Sequence, residues 1–238
     1  LDPSPAFESS VLSAVVEGAD DVDGDALGFD YTWLVNGAAV SGATGDSLSG
    51  AHFDKGDSVV VRVTVSDPVG AGGSAESGAL LIENSLPSGT GASISPTPVF
   101  EGTAASCVAA GWSDADGDPE AWRYSWTVNG APAGTGAGLT GASFNKGDSL
   151  VCVATPDDGE GLGSPLTSSA VVVANTAPTL ASASLSTLSP TKSDTLSVIL
   201  GATSDADGDT VTMSYAWSVN GLLVSTSPTL GASTFARG

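Results

Sequence analysis

Residues 114–130 read Asp-Ala-Asp-Gly-Asp-Pro-Glu-Ala-Trp-Arg-Tyr-Ser-Trp-Thr-Val-Asn-Gly. From Trp122 to Val128 every second side chain is apolar, which is the period of a β-strand with one buried face. The Asn-Gly pair that follows is the strongest short-range signal for a hairpin, because a type I′ turn needs positive φ at both central residues. The stretch therefore predicts an acidic loop, a half-buried strand and a tight hairpin in succession.

This pattern occurs three times in the 238 residues. The acidic pentapeptide begins at Asp21, Asp114 and Asp205, and each copy is followed by Tyr-x-Trp-x-Val-Asn-Gly. The first two copies also share Lys-Gly-Asp-Ser ahead of a β-rich run, at Val59–Val65 and Ser149–Thr155. A match of this length and regularity indicates internal repeats rather than chance.

The copies predict three repeats, with boundaries at 1–84, 85–175 and 176–238. The first two copies end in an apolar run followed by Asn-x-x-Pro, where we place the linkers. The third repeat is expected to be incomplete, because Phe235–Gly238 aligns with Phe144–Gly147 and its last strands have no counterpart. Either further residues continue the repeat, which we favour, or another chain adds a strand at the open edge.

Each repeat is predicted to be an all-β, immunoglobulin-like Greek-key sandwich, because several short strands separated by turn residues fill about 90 residues without helical periodicity. The two cysteines, Cys107 and Cys152, flank Trp126 in the order found in an immunoglobulin core. We expect a disulfide between them, with two buried free thiols as the alternative. A disulfide would place the chain in an oxidising, extracytoplasmic setting.

The charge of the chain restricts its partners. It has 27 acidic and 6 basic side chains and a formal net charge of −21. This balance excludes a nucleic-acid binder that relies on phosphate contacts, and it favours cations as partners. No run of about 18 apolar residues is present, so we expect no membrane span in this segment. With 41% apolar residues, the chain has enough hydrophobic material for packed cores.

The acidic loops are candidate cation sites. Aspartates at alternate positions around a glycine match the first half of a calcium-binding loop, although the later bidentate glutamate of that motif is missing. Oxygen ligands without His or Cys select Ca²⁺ over zinc or copper. The alternative interpretation is a solvated turn in which Asp and Gly serve backbone geometry, or acid that serves solubility.

In an immunoglobulin-like sandwich the strands are lettered A to G in chain order, and here the acidic loop joins B, which carries Cys107, to C, which carries Trp126, while Cys152 lies on F. The loops between B and C and between F and G share the end that faces the preceding domain. The acidic loop of one repeat is therefore expected to meet the linker and the far end of the repeat before it. The candidate metal ligands are Asp21, Asp23, Asp25, Asp114, Asp116, Asp118, Asp205, Asp207, Asp209, Asn84, Asn175, Glu8, Glu101, Asp57, Asp148, Asp157 and Asp158.

The sequence resembles bacterial extracellular tandem repeats of the cadherin-like and polycystic-kidney-disease (PKD) types. The matching features are the acidic loop, the Tyr-x-Trp strand with its Asn-Gly pair, the Lys-Gly-Asp turn and the Asn-Thr-Ala-Pro linker at Asn175–Pro178. The resemblance implies an extracellular or cell-surface location and calcium bound at junctions between domains. PKD domains usually carry Trp-Asp-Phe-Gly-Asp-Gly where this chain has Trp-x-Val-Asn-Gly, so the subfamily stays open.

Three functions are compatible with these features. The first is a structural array, a calcium-stiffened rod, stalk or fibre whose partners are calcium and neighbouring repeats of the same chain or other copies in a filament. The second is an adhesin that binds a glycan or protein, for which Trp112 and Trp122 are candidate contacts. The third is a spacer of a secreted hydrolase. His52 stands alone without a nucleophile motif, so no catalytic site is expected.

Overall fold

A computed structural model describes residues 1–234, and these residues contain no α-helix. The predicted fold class, an all-β chain of tandem immunoglobulin-like sandwiches, is confirmed. Phe235–Gly238, on which the alignment of the third repeat's end depends, lies outside the described residues. Short 3₁₀ helices cover Gly50–His52, Gly141–Ser143 and Ala232–Thr234. No helix in the described part of the chain is long and apolar enough to cross a membrane.

Eight strands precede the first predicted linker: β1 (Ala6–Phe7), β2 (Val11–Ser13), β3 (Gly28–Val35), β4 (Ala38–Ala39), β5 (Ser47–Ser49), β6 (Ser58–Ser66), β7 (Ala71–Glu76) and β8 (Leu80–Glu83). One sheet has the order β1-β8-β6-β3-β4, with β7 also paired to β6. β2 and β5 form a second, two-stranded sheet. The chain before Asn84 therefore forms two sheets.

The core of this first part lies between those sheets. β3 and β6 pair antiparallel over eight residues, from Gly28 opposite Ser66 to Val35 opposite Val59. Trp33 is fully buried, and its Nε1 donates a hydrogen bond to the Gly45 carbonyl at 2.9 Å. The buried cluster around it consists of Ala6, Leu12, Leu48, Phe53, Val59, Val61 and Ile82. The aromatic residue of the repeated strand is thus a core residue.

The next eight strands are β9 (Gly91–Ser95), β10 (Ala105–Ala110), β11 (Trp122–Val128), β12 (Ala131–Gly134), β13 (Gly138–Leu139), β14 (Ser149–Pro156), β15 (Leu166–Thr167) and β16 (Val171–Val172). They form sheets of order β13-β10-β9 and β12-β11-β14-β15, with β16 also paired to β14. Burial alternates along β14, where every second residue is buried, as the period of a strand requires. The predicted disulfide between Cys107 and Cys152 is confirmed, with Cα atoms 6.0 Å apart.

The last strands are β17 (Thr179–Leu180), β18 (Ala183–Leu185), β19 (Leu196–Leu200), β20 (Thr203–Ser204), β21 (Trp217–Val219), β22 (Leu222–Ser225) and β23 (Thr229–Leu230). They form three small sheets, β17-β20, β18-β19-β23 and β21-β22. The buried cluster here is Leu196, Trp217 and Leu230, with Val198 and Val219 packed against it. This core is smaller than that of the first part.

The described residues fall into two compact units whose border passes through the second predicted repeat. The first unit comprises Leu1–Ser93, Cys107–Ser125 and Cys152–Ser168. The second comprises Ile94–Ser106, Trp126–Val151 and the residues from Ser169 on. Because this division follows neither predicted linker, the repeat boundaries at 84 and 175 stay a prediction.

Candidate metal sites at the acidic loops

The three acidic loops share one local geometry. In each, Oδ1 of the first aspartate accepts hydrogen bonds from the backbone N–H groups of the third and fifth residues, at 2.9–3.2 Å. The glycine at the fourth position has a φ between +73° and +81°, a conformation that costs a residue with a Cβ roughly 1–2 kcal/mol. The loop sequence therefore fixes one aspartate oxygen internally and leaves the other carboxylate oxygens for other partners.

The second loop meets the loop between β14 and β15. One carboxylate oxygen each of Asp114, Asp118 and Asp158 lies within 4.8 Å of the others. Oδ2 of Asp114 is buried and has no hydrogen-bond partner. A buried oxygen with a negative charge and no donor is costly unless a cation compensates it.

Asp158 is tied to the linker. It is only 9% exposed, and its Oδ2 accepts a hydrogen bond from Asn84 Nδ2 at 2.9 Å. Its Oδ1 accepts the backbone N–H groups of Glu160 and Gly161. Burial acts to raise the pKa of Asp158, but these hydrogen bonds and the charge of Lys55 together hold the pKa below its usual value. The carboxylate is therefore charged at neutral pH.

A lysine from the first repeat also reaches this cluster. Lys55 Nζ lies 2.6 Å from Asp118 Oδ2, 2.8 Å from Glu160 Oε1 and 3.1 Å from Asn84 Oδ1. The hydrogen bond to Asp118, followed by that to Glu160, raises the pKa of Lys55 above its usual value. The Lys-Gly-Asp turn thus places a permanent positive charge beside the acidic loop of the next repeat.

Asp116 contacts the linker directly. Its Oδ2 accepts the backbone N–H of Ser85 at 2.6 Å, and its Oδ1 accepts the Ser85 hydroxyl at 2.9 Å. Since Asp116 and Asp118 belong to one pentapeptide, the acidic loop holds Ser85 of the linker and Lys55 of the preceding turn. Two hydrogen bonds join the loop to Ser85, while Asn84 is held by Asp158 and Lys55.

The third loop forms a second cluster of the same kind. One carboxylate oxygen each of Asp205, Asp207 and Asp209 lies within 4.8 Å of the others. Asp205 Oδ2 and Asp207 Oδ1 are buried without a hydrogen-bond partner. The other oxygen of Asp207 accepts the backbone N–H of Thr176, as Asp116 does from Ser85.

Lys146 contacts this cluster as Lys55 contacts the first. Its Nζ pairs with Asp209 Oδ2, and this hydrogen bond raises the pKa of Lys146. Its backbone N–H donates to Glu101 Oε2 at 2.9 Å, which places Glu101 next to the turn. Asn175, by contrast, is exposed and donates its side-chain N–H to the Thr176 carbonyl.

The first loop has the same backbone but a more open setting. Asp23 and Asp25 are exposed and Asp21 is half-buried. Within residues 1–234, the carboxylate clusters are those of the second and third loops, and the first loop forms none. The three pentapeptides share all three aspartates and the glycine and differ only at the second position, Val22 against Ala115 and Ala206. The second and third loops also contact a linker residue and a lysine.

Other predicted ligands lie outside the clusters. Asp57 accepts hydrogen bonds from Asn36 Nδ2 and the Asp54 backbone N–H, and Asp148 has the matching bonds in its own turn. These bonds lower the pKa of both carboxyls, with the backbone bond as the larger cause. Both side chains are therefore used to close the turn that presents the lysine.

Asp157 and Glu8 are also placed elsewhere. Asp157 pairs with Arg123 at 2.6 Å, and this hydrogen bond lowers the pKa of Asp157. Glu8 is half-buried and belongs to neither carboxylate cluster of the described residues. The structure therefore assembles the first site from a smaller set of acids than the sequence suggested.

Five residues that contact the acidic loops or their partners were not among the predicted ligands. Lys55 and Lys146 bring ammonium groups, Ser85 and Thr176 bring backbone N–H groups, and Glu160 adds a carboxylate beside Lys55. A signal for the lysines was present, because both Lys-Gly-Asp turns precede the next acidic loop at the same distance. The pairs Lys55–Asp118 and Lys146–Asp209 are each 63 residues apart.

The arrangement fits a hard divalent cation. In the first cluster carboxylate oxygens of Asp114, Asp118 and Asp158 lie within 4.8 Å of one another, and Lys55 pairs with one of these residues, Asp118, and with the neighbouring Glu160. Two like charges about 4 Å apart repel by roughly 1 kcal/mol in water and roughly 4 kcal/mol at an effective dielectric of 20. One lysine leaves most of this repulsion uncompensated. Carboxylate, amide and water oxygens are the ligands that Ca²⁺ takes.

The two tryptophans that occur only in the second copy pack near the first linker. The rings of Trp112 and Trp122 meet edge to face, with centroids 5.7 Å apart, and both are half-buried. Trp122 Nε1 donates to Glu120 at 2.7 Å. A Cβ added at Gly89 would lie 2.5 Å from the Trp122 ring, so the linker runs directly against it. The pair contributes to packing beside the linker.

No protein-family model matches the sequence, and no curated protein matches it. Among solved structures, a multi-domain fragment of titin is 11% identical, covers 60% of this chain and 54% of its own length, and has a TM-score of 0.34. The FN1–FN3 domains of chicken CNTN1 are 12% identical, cover 73% of this chain and 64% of their own length, and have a TM-score of 0.31. A Ca²⁺-stabilized adhesin that helps an Antarctic bacterium bind ice is 17% identical, covers 82% of this chain and 54% of its own length, and has a TM-score of 0.30. The chain thus spans about half to two thirds of the length of these structures.

Proposed function

We propose that this chain is a non-catalytic structural segment of an extracellular array of immunoglobulin-like repeats, stiffened by Ca²⁺ at its acidic loops. The observation that carries the proposal is Asp114 Oδ2, a buried carboxylate oxygen without a hydrogen-bond partner that lies beside the oxygens of Asp118 and Asp158. Asp205 Oδ2 repeats it in the next loop. Two equivalent positions that each leave charge uncompensated favour a bound cation over a solvated turn.

At the first site Asp114, Asp118 and Asp158 would hold the ion, and waters would complete the six to eight oxygen ligands that calcium takes. Asp158, between β14 and β15, is bonded to Asn84, and the acidic loop is bonded to Ser85 through Asp116. An ion that fixes the loop carboxylates therefore also fixes the linker. This coupling is the physical reason to expect a stiffer junction when calcium is bound.

At the second site the carboxylates of Asp205, Asp207 and Asp209 would hold the ion. Both clusters bring three carboxylates together. Extracellular calcium modules commonly bind in the range of about 10⁻⁴ to 10⁻³ M, which suits external calcium concentrations.

An extracellular location is supported by the disulfide and by charge. The Cys107–Cys152 bond forms and persists in oxidising compartments. A net charge of −21 over 238 residues keeps such a chain soluble and provides an electrostatic attraction for divalent cations. These features agree with the cell-surface repeats that the sequence resembles.

Calcium titration of the whole chain by isothermal calorimetry tests the proposal. Wild type should bind about two calcium ions per chain, and Asp114→Asn should remove one of them. Asp21→Asn is the matched control, because it alters the same loop position where the described residues form no cluster. The melting temperature and the radius of gyration should also change between calcium and EDTA. Identical melting, scattering and heat traces with and without calcium would contradict the proposal.

A further inference from the structure

The ammonium group of Lys55 has a complete set of hydrogen-bond acceptors. It carries three N–H donors, and its Nζ lies 2.6 Å from Asp118 Oδ2, 2.8 Å from Glu160 Oε1 and 3.1 Å from Asn84 Oδ1. These acceptors come from three separate segments, which are the acidic loop, the loop between β14 and β15, and the first predicted linker. One cation therefore joins all three segments to the turn that carries Lys55.

The turn that presents Lys55 is fixed to the first sheet. The Gly56 N–H donates to the Ile82 carbonyl of β8, and the Ile82 N–H donates to the Asp57 carbonyl, both at 2.9 Å. The Asp57 carboxylate closes the same turn by accepting the Asp54 backbone N–H. Ile82 is itself buried in the core of the first part of the chain. The ammonium group is therefore carried by backbone that is tied to the core.

The contacts of Lys55 belong to one connected network in partly buried surroundings. The side chains of Lys55 and Asp118 are each 20% exposed, and partly buried charges are screened less by salt than fully exposed ones. The Glu160 side chain is 59% exposed, so its contact is the less shielded of the two. Asp158 accepts the Asn84 side-chain N–H and the Glu160 backbone N–H, which links the other two acceptors. The loss of one contact in such a network weakens the others.

We propose that Lys55 is a built-in cation that holds the linker and both loops against the preceding turn without calcium. The proposal goes beyond the calcium sites, because the metal would add to a junction that the ammonium group already holds. A cation that is part of the chain has an effective concentration that chelation and dilution do not change. The junction therefore keeps its geometry at calcium concentrations too low to load the metal site.

Amide hydrogen exchange of the full chain in EDTA tests this role. The readout is the Ser85 amide, whose N–H is held by Asp116 of the acidic loop. Lys55→Met removes the ammonium group and keeps an unbranched side chain. In EDTA the Ser85 amide of this variant should exchange roughly fivefold to tenfold faster than in wild type, because the junction opens more often. Since the decisive comparison is made in EDTA, a chain that failed to bind calcium would contradict the proposed function without affecting this result.

Lys192→Met is the matched control, because it removes the same charge at an exposed position in the third predicted repeat. Lys55→Arg keeps the charge, and its Ser85 amide should exchange more slowly than that of Lys55→Met. A second measurement is a double-mutant cycle of Lys55→Met with Glu160→Gln, whose effects on the melting temperature in EDTA should not be additive. Equal Ser85 exchange in wild type and Lys55→Met, the same acceleration in Lys192→Met, or additive effects in the cycle would overturn the proposal.

Discussion

Lys55 and Asp118 are joined by a 2.6 Å contact between Nζ and Oδ2, although 63 residues separate them in the chain. Lys146 and Asp209 form the same pair at the same separation. In both cases the Lys-Gly-Asp turn of one repeat contacts the acidic loop of the next repeat. An isolated ion pair near the surface contributes little by itself, but here each lysine also adjoins a cluster of carboxylates.

Replacing Lys55 by Met should tighten calcium binding at the first cluster. The ammonium group repels a divalent ion that uses Asp118, and its removal takes one positive charge from the site. We expect the dissociation constant to fall by about threefold to tenfold at moderate ionic strength. Calorimetric titration of the full chain measures this change.

The control for that experiment is Lys146→Met, which should alter calcium binding at the second cluster and leave the first unchanged. High salt should reduce the effect of both variants, since screening shortens the reach of the ammonium charge. An unchanged constant in Lys55→Met would mean that the lysine and the ion do not share the cluster.

Asp116→Asn should release the first linker. Asp116 accepts both the backbone N–H and the hydroxyl of Ser85, and an amide can accept through only one of its two side-chain atoms. Amide hydrogen exchange of Ser85 should therefore become faster. Thr176 provides the internal reference, because its N–H is held by Asp207 in the other junction. Faster exchange at both residues would show that the two junctions are not independent.

Sequence reasoning predicted the fold well because the relevant signals are local or periodic. The alternation from Trp122 to Val128 predicted β11, and the run at Ser149–Thr155 predicted β14 to within one residue. The order Cys, Trp, Cys predicted the disulfide, since an immunoglobulin core brings those strands together. None of these inferences required knowledge of contacts between repeats.

The candidate sites could be predicted only in part. The acidic loops were found because one pentapeptide recurs, but the assignment of their partners depends on side-chain contacts across long separations. Asp57 and Asp148 are acidic and near the junctions in sequence, yet their carboxylates accept hydrogen bonds within their own turns. The contact of Lys55 with Asp118 could not be predicted, because the two residues are 63 positions apart and only the fold brings them together. The charge of a side chain does not show whether it binds within its own turn or contacts a distant loop.

Loss of the disulfide should destabilise the second repeat. The bond closes a loop between residues 45 apart, for which the loop-entropy estimate is about 3–4 kcal/mol. The double variant Cys107→Ala, Cys152→Ala should therefore unfold at lower denaturant concentration. The first repeat has Ala14 and Val61 at the matching positions, so its transition should not move. Tryptophan fluorescence during denaturant unfolding, with Trp33→Phe to assign the first repeat, measures both transitions.

Stability should fall on acidification partly through Asp148. Hydrogen bonds from the Asn145 backbone and the Asn129 side chain lower the pKa of Asp148 in the folded state. The unfolded chain therefore binds the proton first, and this contribution is present above the ordinary pKa of about 3.9 and is lost as pH falls toward the folded value. Asp148→Asn should give a flatter dependence of melting temperature on pH below about 4. Asp30→Asn, an exposed position on β3, serves as the control, and an equal flattening there would contradict this assignment.

Asn129 should be sensitive to substitution for two separable reasons. Its φ is +52°, a left-handed conformation, and its side chain accepts from the Ser149 N–H and donates to Asp148. Asn129→Gly keeps the backbone accessible but removes both side-chain hydrogen bonds, which should cost about 1–2 kcal/mol of unfolding free energy. Asn129→Ala also forces a Cβ into the left-handed region and should cost roughly 1 kcal/mol more. Equilibrium denaturation of the two variants measures the difference, and equal losses in both would mean that the hydrogen bonds alone explain why asparagine is used at this turn.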